Sequence, residues 1–95
     1  MTSKQRSYLM KLASDLDPIL QIGKSSLTPE LVKAVDEAME ARELIKINIL
    51  KNCFEDGRDL ANTLAERSHA QVVQVIGRKI VLYRESKTKK KIELP

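Results

Sequence analysis

Leu44-Ile45-Lys46-Ile47-Asn48-Ile49-Leu50 alternates apolar and polar side chains with a period of two, the spacing of a β-strand. Ile45, Ile47 and Ile49 fall on one face and Lys46 and Asn48 on the other, so this strand has one buried face and one at least partly open. Helical spacing begins on either side of it. Upstream, Leu31, Val35, Ala38 and Met39 mark a helix running to about Ala41. Thr28 is its N-cap, Pro29 takes the first helical position, where a missing N–H costs nothing, and Leu27 and Val32 are placed as a hydrophobic staple. Downstream, Glu55, Asp56 and Asp59 put negative charge at the start of a third helix, where the macrodipole favours it. Leu60, Ala61, Leu64 and Ala65 form its inward stripe, and it ends near Ser68.

Further out, Leu9, Leu12, Ala13 and Leu16 share a helical face, and Thr2 with Gln5 three residues on is a capping-box pattern, so a first helix spans about Ser3 to Asp15. Asp17-Pro18 stops it, because the residue before proline is pushed out of the α region. Ile19 to Ile22 is then a short strand ending in Gly23. On the far side, Gln71 to Ile76 and Ile80 to Arg84 are two β-rich runs separated by Gly77-Arg78-Lys79, which fits a tight hairpin. The order is α-β-α-β-α-β-β. Right-handed helical crossovers make the first three strands parallel and the hairpin adds an antiparallel one. The expected fold is a two-layer α/β (α+β) domain, a four-stranded mixed sheet with helices mainly on one face. Residues 1–84 form the domain, and the polar, lysine-rich residues 85–95 are expected to form a mobile tail.

The chain of 95 residues is long enough to bury about 60 to 70% of its unfolded surface without staples. The single Cys53 cannot form an internal disulfide, and the chain shows neither a secretory leader nor an apolar run long enough for a bilayer, which together suggest a soluble protein of a reducing cytoplasm. The net charge of +4 is modest but uneven. Arg78, Lys79, Arg84, Lys87, Lys89, Lys90 and Lys91 stand against only Glu85 over the stretch 78–91, and Lys4, Arg6 and Lys11 dominate the first segment. The second helix is instead acidic, with Glu30, Asp36, Glu37, Glu40 and Glu43. Such asymmetry is the pattern of an oriented polyanion binder, although a solvated surface can look the same.

Between the first strand and the second helix, Gly23-Lys24-Ser25-Ser26 combines a residue that lets the backbone approach a ligand, a mobile positive charge and two hydroxyls just before a helix start, where N–H groups can receive an anion. The fragment Gly23-Lys24-Ser25 matches the end of a Walker A loop, but the required glycine five residues earlier is Pro18, so nucleotide hydrolysis is not supported. A nucleic-acid backbone remains a suitable phosphate ligand, and a plain strand-to-helix turn would use the same residues. Lys4, Tyr8 and Lys11 share one stripe of the first helix and would extend a positive track if that helix lay beside the loop. Aromatic residues are few, Tyr8, Phe54 and Tyr83, so backbone and shape rather than base stacking should dominate. His69 and Cys53 have no clustered partners for a metal, and no second histidine or nucleophile elbow supports catalysis. No cofactor, membrane or small-molecule substrate is expected. The other reading is a protein-interaction module, docking through the acidic second helix or the open face around Lys46 and Asn48.

The ordered stretches Pro18 with Gln21-Ile22-Gly23-Lys24, Leu27-Thr28, Glu43-Leu44-Ile45-Lys46-Ile47, Val72-Val73-Gln74-Val75-Ile76-Gly77-Arg78 and Val81-Leu82-Tyr83-Arg84 together resemble the CRM domain, the chloroplast RNA splicing and ribosome maturation family, in its bacterial stand-alone YhbY-like form. The resemblance implies a fold similar to the C-terminal domain of translation initiation factor three. It also implies RNA binding through a Gly-x-x-Gly loop like that of KH domains, and association with ribosomal RNA in precursors of the large ribosomal subunit. On this chain the loop is Gly23-Lys24-Ser25-Ser26, with Arg78, Lys79, Arg84, Lys4 and Lys11 as its surrounding track. Ser26 stands where the family pattern has its second glycine, which restricts φ and adds a Cβ.

Overall fold

The computed structural model describes residues 1–95, with α1 (Ser3–Ala13), β1 (Leu20–Ile22), α2 (Pro29–Arg42), β2 (Leu44–Ile49), α3 (Gly57–Ser68), β3 (Gln71–Ile76) and β4 (Lys79–Tyr83). Each helix starts where a side-chain oxygen takes up an otherwise free N–H. Thr2 Oγ1 accepts from Gln5 N at 3.0 Å while Gln5 Oε1 accepts from Thr2 N at 3.1 Å, completing the capping box. Thr28 Oγ1 accepts from Leu31 N and Asp56 Oδ2 from Asp59 N, both at 3.1 Å.

The strands lie in the order β1-β2-β4-β3. β1 is parallel to β2, and β4 is antiparallel to both β2 and β3, so β1, β2 and β3 run in one direction as expected. The last strand is inserted between β2 and β3. The register pairs Ile47 with both Leu20 and Ile80, and an irregularity between Val72 and Gln74 interrupts the β3–β4 ladder. The carboxyl ends of three strands and the β3–β4 turn therefore share one edge of the sheet. That edge carries the segments Gly23–Thr28, Leu50–Asp56 and Gly77-Arg78.

Both sheet faces are covered, unequally. On one, Ile45, Ile47, Ile49, Ile80 and Leu82 pack with Val35 and Met39 of α2 and Leu60, Ala61, Leu64 and Ala65 of α3. On the other, Leu44, Val73, Val81 and Tyr83 pack against Leu9 and Ala13 of α1. Two helices thus share one face, and α1 alone takes the second. Because α1 touches the sheet by a narrow stripe and ends at Ala13, Leu12 and Leu16, expected inward, stay 37% and 36% exposed.

The segment after β4, for which composition suggests a mobile tail, is tied to the end of α2 and reaches this second face at Ile92 and Leu94. Its anchor is Glu43, a fully buried carboxylate at the end of α2 that accepts backbone N–H bonds from Ser86, Lys91 and Ile92, each at 2.7 Å. Ile92 and Leu94 then pack on the α1 cluster. Glu40 accepts from Ser86 Oγ at 2.9 Å and from Thr88 Oγ1 at 2.7 Å. Lysine content hid these contacts, because the donors are backbone groups and short hydroxyls.

Candidate nucleic-acid interface

The shared edge of the sheet is where cationic side chains converge. A turn closed by Ser26 N donating to Gly23 O at 3.0 Å puts Lys24 at its exposed tip. Leu50 N donates to Ile22 O at 2.9 Å, and a Cβ placed on Gly23 would lie 3.6 Å from Leu50 Cδ1 and 3.7 Å from Asn52 Oδ1. The first loop is thus seated against the second, and exposed Lys51 extends β2 as Lys24 extends β1.

The residue of this loop with left-handed backbone is Ser26, at φ +58°, while Gly23 has no positive φ. The conformation that favours glycine is therefore present where the family motif has one, occupied here by serine. Gly23 instead provides room beside Leu50 and Asn52.

Arg78 lies in the hairpin turn, where Gly77 takes φ +57°. Arg78 Nε donates to Ile49 O at 3.0 Å, and its Nη2 donates to Leu50 O at 2.6 Å and Cys53 O at 2.7 Å. Arg78 builds the second loop and leaves its charge beside the edge. Lys79 Nζ donates to Asn48 Oδ1 at 3.1 Å across the β2–β4 pair, on the face that α1 partly covers. There a groove between α1 and the sheet is lined by Lys11, Lys46, Gln74, Ile76 and Lys79. Lys24, Lys51, Arg78 and Lys79 thus form an edge cluster that continues into the groove through Lys46 and Lys11.

Other expected members lie elsewhere. Arg84 Nη1 is 2.6 Å from Asp36 Oδ1 and donates to Ser68 O at 2.7 Å, and Nη2 donates to Asp36 O at 3.0 Å, tying α2 and α3 to the opposite end of the sheet. Only 17% of its side chain is exposed. Lys4 is exposed at the far end of α1, where neighbouring Arg6 donates to Val72 O and Val73 O at 2.8 Å and neighbouring Gln5 donates to Pro95 O at 3.3 Å. Neither belongs to the edge cluster. Ser25 and Ser26 open on a cleft shared with Glu55, Asp59, Thr63 and Arg67, so their side of the loop is partly acidic. Lys46 and Lys51 were not among the expected contacts. Both could be found from the strand pattern, Lys46 as an outward position and Lys51 as the second residue past β2, as Lys24 is the second past the parallel β1.

Two carboxylates at the end of the acidic helix are held by the C-terminal segment. The Thr88 hydroxyl, with Ser86 Oγ and the Lys87 N–H, holds the Glu40 carboxyl down at about 2. Burial alone would raise Glu43, but N–H donors from Ser86, Lys91 and Ile92 bring it below the ordinary carboxylate value. No group of three His, Cys, Asp or Glu side chains is placed to hold a metal ion, and no helix is long and apolar enough to cross a membrane.

A small mixed-sheet domain with a glycine–lysine loop seated at a cationic sheet edge is the class that this architecture defines. The CRS1 / YhbY (CRM) domain model matches residues 1–84, and the chain belongs to that family. It is 50% identical over 95 residues, covering 100% of this chain and 99% of the relative, to the Bacillus subtilis (strain 168) protein named Probable RNA-binding protein YqeI. It is 33% identical to an RNA-binding protein of Haemophilus influenzae, covering 100% of this chain and 95% of that one. The solution structure of a hypothetical protein from Staphylococcus aureus superimposes with a TM-score of 0.84 at 50% identity, covering 100% and 99% of the two chains.

Proposed function

We propose that this protein is a non-catalytic RNA-binding protein of the cytoplasm that engages ribosomal RNA in precursors of the large ribosomal subunit and assists their assembly. The observation that carries the reading is the convergence of Lys24, Lys51, Arg78 and Lys79 on one sheet edge, continued by Lys46 and Lys11 in the groove beside α1. Cations set on three loops of a rigid sheet suit a phosphate backbone, which contributes affinity and position without reading sequence. The names of the relatives support RNA as the partner, and the resemblance to ribosome-maturation proteins is what points to ribosomal RNA. The rival reading, a protein docked on the acidic helix, has less surface to use, because Asp36 and Glu40 are engaged by Arg84 and the C-terminal segment.

Ultraviolet crosslinking in cells, with sequencing of the attached RNA, tests the proposal. Crosslinks concentrate on large-subunit ribosomal RNA and fall in Lys24→Ala. In vitro, that variant weakens binding similarly across sequences and reduces the salt slope by about one unit. Crosslinks at background, or a Lys24→Ala protein with full affinity and slope, would remove the ribosomal partner or the loop assignment respectively.

A further inference from the structure

Phe54 is 93% exposed, the most solvent-accessible large apolar side chain of the fold. It sits on a segment fixed on both sides. Before it, Cys53 is 3% exposed, donates its N–H to Leu50 O at 3.1 Å and gives its carbonyl to Arg78. After it, Asp56 caps α3 and Gly57 packs beneath Ile49 and Val75, with only 3.2 Å from its would-be Cβ to Ile49 Cδ1. The ring is therefore held out in water by a braced turn rather than by a loose loop.

We propose that Phe54 is a stacking platform for one unpaired RNA base, whose flanking phosphates lie toward Lys51 and Lys24. This rests on the RNA-binding reading above and makes single-stranded or looped-out RNA the ligand class at this edge. Charge fixes the orientation. Glu55, Asp56 and Asp59 on the α3 side repel phosphates, whereas Lys51, Lys24 and Arg78 attract them, so a strand crossing the edge keeps its backbone on the cationic side and can turn a base toward the ring. An aromatic ring stacks on any base, which adds affinity without sequence preference. A duplex offers no free base face and gains nothing from it.

The chain contains no tryptophan, so Phe54→Trp introduces a unique fluorophore at the platform. An unstructured 12-nucleotide RNA and a duplex RNA of the same length are titrated against wild type, Phe54→Ala and Phe54→Trp, with thermal melts as a fold control. The single strand quenches Phe54→Trp at saturation and the duplex does not. Phe54→Ala loses about 5- to 100-fold in affinity for the single strand, keeps its duplex affinity and salt slope, and melts with wild type. Unchanged single-strand affinity in Phe54→Ala, or unquenched Phe54→Trp at saturation, would overturn the platform while leaving Lys24-dependent binding intact. Wild type that binds neither RNA would overturn both readings.

Discussion

Glu43→Gln separates what holds the C-terminal segment from what holds the domain. Three backbone N–H groups converge on this one carboxylate, Ser86 on Oε2 and Lys91 and Ile92 on Oε1, all at 2.7 Å. Bonds to a charged acceptor are worth about 1.5–3 kcal/mol each, but glutamine keeps one oxygen and so retains the Lys91 and Ile92 pair in weaker, neutral form. On the other side its NH₂ meets the Ser86 N–H donor to donor. The expected loss is about 2–3 kcal/mol, or about 10–15 °C in melting temperature for a domain of this size. A ceiling applies, because the segment can detach and return its donors to water, so the loss cannot exceed the free energy of docking. Glu43 also has φ +67°, and the glutamine variant keeps that backbone geometry, so the carboxylate alone is tested. Urea melts give the stability, and amide exchange at Ser86, Lys91 and Ile92 reports the docking. Glu85→Gln, which removes an exposed partner 3.5 Å from Lys90, is the control and changes stability by less than about 0.5 kcal/mol. A Glu43→Gln protein as stable as that control, with wild-type exchange at the three amides, would refute the reasoning.

Arg84→Ala destabilises by about 2–4 kcal/mol in urea melts, because it unpins α2 and α3 from the sheet, and it leaves the salt slope for RNA where wild type has it. Ser26→Gly stabilises by about 0.5–1 kcal/mol, since a left-handed residue loses its Cβ penalty, and a melt at lower denaturant than wild type would count against that backbone assignment. Acid destabilises through the same carboxylates: Glu40 sits at about 2 when folded against 4.5 ordinarily, so its contribution is present above 4.5 and is lost as pH falls toward 2. Stability measured between pH 5 and 2 should therefore fall less steeply in Glu40→Gln than in wild type.

The helices and strands were legible because their signals are local: caps at Thr2 and Thr28, the Asp17-Pro18 break, and the alternation of Ile45, Ile47 and Ile49. Strand order was harder, though it left a trace. Ile80, Val81 and Leu82 are apolar in succession and pack on both faces, as a central strand does, whereas β3 carries Gln71 and Gln74 and lies at the edge. That order decides the site. With β4 inside, Lys79 is set beside Asn48 of β2 at the edge that carries Lys24, while the length of the strand carries Arg84 to the other end, a separation that proximity along the chain conceals. Counting aromatic residues passes over Phe54, whose place in the braced β2–α3 turn leaves its ring exposed.

The central place of β4 also governs how the chain can fold. Residues 44–48 pair with residues 79–83, so the middle of the sheet joins segments more than thirty positions apart and closes only when the last strand arrives. Before that, β2 has β1 on one side and an open, apolar edge on the other, a species prone to pair with a neighbour. Contacts this distant favour a slow, all-or-none transition over stepwise growth from the amino end. A chain interrupted before Lys79 would leave the Gly23 loop without the sheet that sets it beside Arg78 and Lys79, so ligand-binding competence and completion of folding arrive together.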